Sequence, residues 1–192
     1  LEQCVNATFS VDNLVKKPSK KSPSAPFTTS TLQQEASRKL GFSVAQTMSV
    51  AQKLYESGKI TYMRTDSVSL SEDAVKEANK YIHSAFGEQY AKPRRYSTKS
   101  KSAQEAHEAC RPTDFTVASL SDASISNREN RLYKLIWSRT VMSQMKPAEC
   151  DITSVKIKMK QGESVHKYHF VSKKEVITFL GYLKVIEYMK SF

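Results

Sequence analysis

Apolar and polar residues alternate at both ends of the chain. The alternation covers residues 5–11 near the start and residues 155–159 near the end, and a period of two is typical of a strand that buries one face. Gly162 predicts a turn into a further strand over residues 165–171, and the apolar, β-branched run 176–186 predicts another. We therefore expect β-structure at the two ends of the chain.

Between these ends the apolar residues recur with helical spacing. One set precedes Gly41 and a second precedes Gly58, and glycine commonly ends helices. Two Ser/Glu pairs have the spacing of a capping box and predict the starts of two more helices: Ser69 with Glu72, and Ser126 with Glu129. Pro147 ends the second of these helices.

The segment 16–29 contains Pro18, Pro23 and Pro26 among Lys and Ser, which predicts an exposed connector and a domain boundary. Because sequential elements tend to be neighbours in space, we expect a multidomain α+β protein. A helical domain, residues 23–150, is inserted into a β-rich domain that is formed by residues 1–22 and 151–192.

Composition restricts the class of protein. The 192 residues are 39% hydrophobic and carry a net charge of +11, with no run of about 18 apolar residues for a membrane span. The charge favours a nucleic-acid partner. The three cysteines are widely separated, which favours a reducing, cytoplasmic compartment. Without an initiator Met or a signal-peptide pattern, we interpret the chain as a piece of a larger protein, and we expect a monomer.

Residues 60–67 lie between two predicted helices, where a rigid scaffold can present a loop. In an extended stretch Tyr62 and Arg64 point to the same side. A phenol, with a pKa of about 10, needs nearby cations before it attacks a phosphate at neutral pH. The planar guanidinium of Arg64 can bind two phosphate oxygens at once. A structural Tyr beside a surface Arg is the alternative at this stage.

Residues 104–113 form a second candidate segment. If they are helical up to Pro112, His107 and Arg111 lie four apart on one face, as a pair of phosphate donors. A basic stretch, residues 92–101, could follow a phosphate backbone, although a solvated loop explains it equally well. His166 and His169 are interpreted as solvated histidines and not as zinc ligands. We expect no metal site in this chain, because we identify no paired carboxylates for a magnesium ion.

Three segments in order, residues 26–34, 60–67 and 104–113, resemble the successive signatures of type IA DNA topoisomerases. The resemblance extends more weakly into the strand-rich ends, where residues 179–185 are similar to the family's return strand. Met63 resembles the bacterial topoisomerase I branch. Two departures are Cys110, where an aliphatic residue is usual, and Lys173 with Lys174, where a glycine commonly stands.

The resemblance implies that Tyr62 is the nucleophile, forming a 5′-phosphotyrosine, and that Arg64 stabilises the scissile phosphate. It implies that His107 and Arg111 bind DNA, with supporting roles in the same site for Thr65, Asp66 and Ser67. The substrate would be single-stranded or negatively supercoiled DNA, relaxed without ATP in the nucleoid. The helical domain would have a winged-helix (CAP-like) core, and the β-rich domain would be an arch. Mg²⁺ would be bound by a Toprim domain absent from this chain, which would therefore be inactive alone.

Two other functions compete with this interpretation. A noncatalytic nucleic-acid-binding module would need only the basic charge and give Tyr62 no role. A tyrosine recombinase also uses His, Arg and Tyr, but there the Tyr follows a His-x-x-Arg motif, whereas Tyr62 precedes His107 and Arg111. Order and spacing disfavour the recombinase.

Overall fold

The computed structural model of the protein describes residues 4–97 and 108–191. In this part of the chain the strands are β1 (Thr8–Lys21), β2 (Ala148–Gln161) and β3 (Ser164–Phe179), and the α-helices are α1 (Thr29–Leu40), α2 (Val44–Glu56), α3 (Glu72–Phe86), α4 (Asn127–Ser143) and α5 (Lys184–Tyr188). The α+β class is confirmed. Two compact units hold these elements, one the three strands and one the helices. The chain passes between them after Lys21, Lys146 and Leu180.

The strands form an antiparallel sheet in the order β1-β2-β3. The predicted strand over residues 155–159 is confirmed within β2, and Gly162, with a φ of 62°, begins the two-residue turn into β3. The prediction of a connector from residue 16 onwards is wrong as far as Lys21, because β1 continues there and Pro18 pairs with Asp151. β1 lies at the edge of the sheet, which is where strands accommodate proline.

The helical unit is built around α4. This helix buries Leu132, Tyr133, Ile136 and Trp137, and it packs against α1 and α2. The indole Nε1 of Trp137 donates to the carbonyl of Phe115 at 2.9 Å, so the largest buried side chain in the unit also satisfies its one polar atom.

Helix ends follow the sequence signals in most cases. Gly41, with a φ of 72°, caps α1, and Ser126 with Glu129 forms the expected capping box of α4. The predicted start of α3 is two residues early. Its cap is Ser71, whose hydroxyl accepts from the Ala74 N–H at 3.3 Å, whereas the Ser69 hydroxyl donates to the carbonyl of Tyr96 at 3.0 Å.

The chain after Phe179 differs from the prediction. The strand expected over residues 176–186 ends at Phe179, and α5 follows in the helical unit. Gly181 has a φ of 51°, a conformation that interrupts a strand and favours glycine. Val185 is fully buried and the ring of Tyr188 lies 5.3 Å from that of Phe86. Burial of these apolar residues against the helices therefore outweighs their β-branched composition.

Candidate active site

The segment 60–67, here called the tyrosine segment, follows α2 and has no helix or strand of its own. It begins by pairing with residues 109–113. Ile60 forms an antiparallel bridge with Pro112, and the Thr61 N–H donates to the Arg111 carbonyl at 2.9 Å. The Thr61 hydroxyl donates to the Ala109 carbonyl at 2.8 Å and accepts from the Arg111 N–H at 2.9 Å. The backbone immediately before Tyr62 is thus fixed on a second segment.

Thr29, at the start of α1, fixes the backbone after Tyr62. Its hydroxyl donates to the Met63 carbonyl at 2.8 Å and accepts from the Thr65 N–H at 2.8 Å. Its own N–H donates to the Thr65 carbonyl at 2.9 Å. Thr29 therefore binds three backbone groups of the tyrosine segment, two through its hydroxyl and one through its own N–H.

A further hydrogen bond joins the first sequence motif, residues 26–34, to residues 109–113. The Cys110 N–H donates to the Phe27 carbonyl at 2.9 Å, and the Phe27 ring lies beneath the guanidinium of Arg139 at 4.5 Å. Complete burial raises the pKa of the Cys110 thiol to about 12, so this cysteine is a core residue and not a reactive thiol. The three stretches singled out in the sequence are joined to one another by hydrogen bonds.

Exposure alternates along the tyrosine segment. Met63, Thr65 and Ser67 are buried, whereas Tyr62, Arg64 and Asp66 are exposed. This is the pattern expected of an extended stretch with Tyr62 and Arg64 on one side. The buried hydroxyls of Thr65 and Ser67 accept from the N–H groups of Ser67 and Ser69 at 3.0 and 3.1 Å, so both side chains shape the loop.

The candidate nucleophile is accessible. Tyr62 is 43% exposed, and its ring meets that of Tyr55, on the last turn of α2, edge to face with centroids 5.1 Å apart. Among the residues that the structure describes, neither the Tyr62 phenol nor the Arg64 guanidinium has a hydrogen-bond partner. Both side chains are exposed and thus accessible to a phosphate.

Arg111 lies in extended backbone, because residues 108–112 are not helical. The helical arrangement considered for this stretch is therefore wrong from Glu108 onwards, since its backbone pairs with other segments. Arg111 donates to the carboxylate of Glu108 at 2.8 and 3.2 Å. His107 lies outside the described residues, so its convergence with Tyr62 stays a prediction.

Glu108 is a residue that the sequence argument missed, although it stands between His107 and Arg111. Partial burial would raise the pKa of its carboxyl, but hydrogen bonds from Arg111 and from Ser71 outweigh burial and hold that pKa below its usual value. The backbone N–H of Ser71 donates to Glu108 at 2.5 Å. Glu108 thus connects Arg111 to the cap of α3.

The basic stretch 92–101 is described only up to residue 97. Arg95 forms an exposed ion pair with Glu72 at 2.7 Å, and the Arg94 N–H donates to the buried Gln144 side chain at 2.9 Å. The first half of the stretch is thus attached to α3 and α4, while Lys99 and Lys101 lie outside the described residues.

Within residues 4–97 and 108–191, no three His, Cys, Asp or Glu side chains gather as a metal site would require. The sequence does contain one alternating pair of carboxylates, contrary to the expectation above: Glu149 and Asp151 on β2. They form ion pairs with Lys20 and Lys16 at 2.7 and 2.9 Å. Because both carboxylates face lysines, these two residues do not fit a magnesium site. In the same part of the chain, no helix has the length and apolar character of a membrane span.

Comparison with known proteins identifies the family. The family model described as DNA topoisomerase matches residues 1–191. Among similar proteins, the prokaryotic-type DNA topoisomerase 1 of Acanthamoeba polyphaga mimivirus is 43% identical over 96% of this chain, and DNA topoisomerase 1 of Streptomyces coelicolor is 48% identical over 93%. The chain spans 22% and 19% of those two proteins.

The structure of full-length topoisomerase I from Thermotoga maritima matches 97% of this chain with a TM-score of 0.79 and 38% identity, and the match covers 30% of that chain. The chain belongs to the DNA topoisomerase family. The resemblance to type IA enzymes seen in the three sequence motifs is confirmed.

Proposed function

We propose that this chain is the part of a type IA DNA topoisomerase that carries the nucleophile, and that Tyr62 attacks a phosphodiester of single-stranded DNA. The observation that carries this proposal is the hydrogen bonding of three distant segments around one exposed tyrosine, with Thr61 and Thr29 fixing the backbone on either side of it. Such preorganisation suits a group that must meet a phosphorus atom in one geometry.

In the proposed step, the phenol oxygen of Tyr62 forms a bond to phosphorus as the bond from phosphorus to the 3′ oxygen breaks. The phenol loses its proton, and the 3′ oxygen gains one. The strand is then held by a 5′-phosphotyrosine, and the reverse step reseals it. One phosphoester replaces another, so strand passage between the two steps needs no ATP.

Arg64 is the cation best placed for this reaction. It is exposed two residues from Tyr62 on the same side of the segment, and its charge favours the phenolate and neutralises the phosphoryl oxygens. We propose that Arg111 and His107 position the strand, with the Arg111 guanidinium oriented by Glu108. Asp66 is exposed on the tyrosine segment, while Thr65 and Ser67 hold the loop in shape.

The net charge of +11 supports a polyanionic substrate, and we propose single-stranded or negatively supercoiled DNA, in the bacterial cytoplasm. The winged-helix core, the arch and the monomeric state are part of the same proposal. A Toprim domain elsewhere in the full protein would supply Mg²⁺ and a group that protonates the 3′ oxygen. Loss of one such electrostatic partner typically lowers a rate about a hundredfold to a thousandfold, so this chain alone should form no covalent adduct.

The test is a covalent-trapping gel with a labelled oligonucleotide. Three proteins are compared, namely the full protein that contains this chain, the same protein with Tyr62→Phe, and the chain alone. Tyr62→Phe removes only the attacking oxygen, so we expect no adduct and nearly unchanged DNA binding. An adduct from the Tyr62→Phe protein would identify a different nucleophile. If adduct formation never occurs even in the unchanged protein, the noncatalytic binding module becomes the better account.

A further inference from the structure

The backbone of the tyrosine segment is fixed on both sides of Tyr62, but these hydrogen bonds do not fix the side chain. A tyrosine ring still rotates about the bonds that connect it to the backbone. In the described part of the chain, the Tyr62 phenol has no hydrogen-bond partner, and the aromatic ring that contacts it is Tyr55. Within this part of the chain, Tyr55 is the aromatic neighbour that can restrict the Tyr62 ring before DNA binds.

The backbone of Tyr55 is fixed by the end of α2. It stands on the last turn of α2 directly after Leu54, which is fully buried. The Tyr55 carbonyl accepts from the Gly58 N–H at 2.8 Å. Gly58 adopts a φ of 70°, which favours glycine and turns the chain back after the helix. This turn brings Tyr62 against the side of α2 that carries Tyr55.

The geometry of the ring pair is specific. The two ring planes meet at 62° with centroids 5.1 Å apart, the edge-to-face arrangement that aromatic quadrupoles favour. Tyr55 is 41% exposed, so its ring is not a core residue whose first role is to hold the fold together. Its contact with Tyr62 restricts the Tyr62 ring while leaving the phenol edge open to solvent.

We propose that Tyr55 is a positioning residue for the covalent step, and that its ring holds the Tyr62 ring in the orientation from which the phenol oxygen reaches phosphorus. The inference rests on the proposed role of Tyr62 as nucleophile. Since the phenol oxygen of Tyr55 is not needed for the contact, a phenyl ring at this position suffices. Positioning acts on the attack and not on capture of the strand, so the maximum rate changes while the DNA concentration at half-maximal rate does not.

The experiment measures single-turnover adduct formation by the full protein over a range of oligonucleotide concentrations. Loss of an aromatic pair corresponds to about a twofold to tenfold change. We expect Tyr55→Ala and Tyr55→Leu to lower the maximum rate by such a factor with an unchanged half-saturating concentration. Tyr55→Phe should keep the full rate. The matched control is Tyr168→Ala, which removes an exposed tyrosine from β3 and should change neither quantity.

Thermal unfolding of each variant is measured alongside, and Tyr55→Leu gives the result if Tyr55→Ala does not fold. A wild-type rate in the alanine and leucine variants overturns the inference. So does a change confined to the half-saturating concentration, or a loss of rate in Tyr55→Phe. An adduct formed by Tyr62→Phe would instead overturn the proposed function, and that outcome is distinct from the other three.

Discussion

The tyrosine segment and the three-stranded sheet are both extended backbone, yet they are held in opposite ways. No side chain of β1 or β3 is buried, and these strands are held by long antiparallel ladders on β2 that local register shifts interrupt. The tyrosine segment has no such ladder. Burial alternates over residues 62–67, the Thr29 hydroxyl binds backbone groups of the segment, and the Thr61 hydroxyl binds the backbone of residues 109 and 111. The sheet should therefore tolerate side-chain changes that the tyrosine segment does not.

The largest expected difference concerns two phenylalanines. Phe27 pairs with Cys110 in the stretch on which the tyrosine segment is fixed, and it is fully buried beneath Arg139. Phe27→Ala should therefore lower the free energy of unfolding by about 3–5 kcal/mol. Phe170 on β3 is half exposed and contacts Phe9 at 5.7 Å. Phe170→Ala should cost no more than about 1.5 kcal/mol. Denaturant unfolding measures both, and equal losses would contradict the contrast.

A smaller effect is expected from the threonine hydroxyls. Thr29→Val keeps the shape of the side chain but leaves the Met63 carbonyl and the Thr65 N–H without their partner, at a cost of about 1–3 kcal/mol. Thr29→Ser keeps the hydroxyl and should retain most of this stability. In the sheet, the exposed Thr8 hydroxyl donates to the Lys160 carbonyl at 3.3 Å, and water can replace it in Thr8→Val. Amide exchange at Thr65 should accelerate only in Thr29→Val.

Glu108 makes the stability of the helical unit dependent on pH. Its folded-state pKa is lowered, with burial opposing and the bonds from Arg111 and Ser71 prevailing. Its stabilisation is therefore present above the unfolded-state pKa of about 4.3 and is lost as pH falls through the lower folded-state value. Glu108→Gln should lower the free energy of unfolding by ~1 kcal/mol at pH 7, after allowance for solvent screening. The difference in the free energy of unfolding between the unchanged protein and Glu108→Gln should shrink as the pH falls. A difference that grows would refute the lowered pKa of Glu108.

The smallest effect should come from the ion pairs of the sheet. Lys20 and Glu149 are 2.7 Å apart, but Lys20 is exposed and the Glu149 side chain is about half exposed, so their coupling in a double-mutant cycle should be below about 1 kcal/mol. It should weaken further with added salt. A coupling as large as the effect of Thr29→Val would show that the sheet depends on its side chains after all.

The same contrast explains what the sequence could predict. The ends of α1 and α4 and the turn at Gly162 depend on local signals, namely capping residues and glycine with positive φ, and local signals are visible in sequence. The start of α3 was misplaced because the serines at 69 and 71 both lie near the helix start. The Ser69 hydroxyl donates instead to the carbonyl of Tyr96, which is distant in sequence and gives no local signal.

The site itself was predicted in part. The alternation of Tyr62, Met63 and Arg64 is a local property of extended chain and was visible. The extended form of residues 108–112 was not visible, because it depends on backbone partners near Phe27 and Thr61. The role of Glu108 depends on Ser71 in another element. Sequence periodicity contains no information on such distant partners.

Hydrogen bonds that join distant segments also determine when the site can form during synthesis. The Thr61 hydroxyl depends on the carbonyl of Ala109, which follows it by 48 residues. At about 5–20 residues per second, a ribosome needs roughly 2–10 seconds to add that stretch, and longer for it to leave the exit tunnel. A nascent chain therefore exposes Tyr62 well before it can hold it in position. For a protein proposed to break DNA, this delay keeps an unfinished chain from presenting an ordered nucleophile.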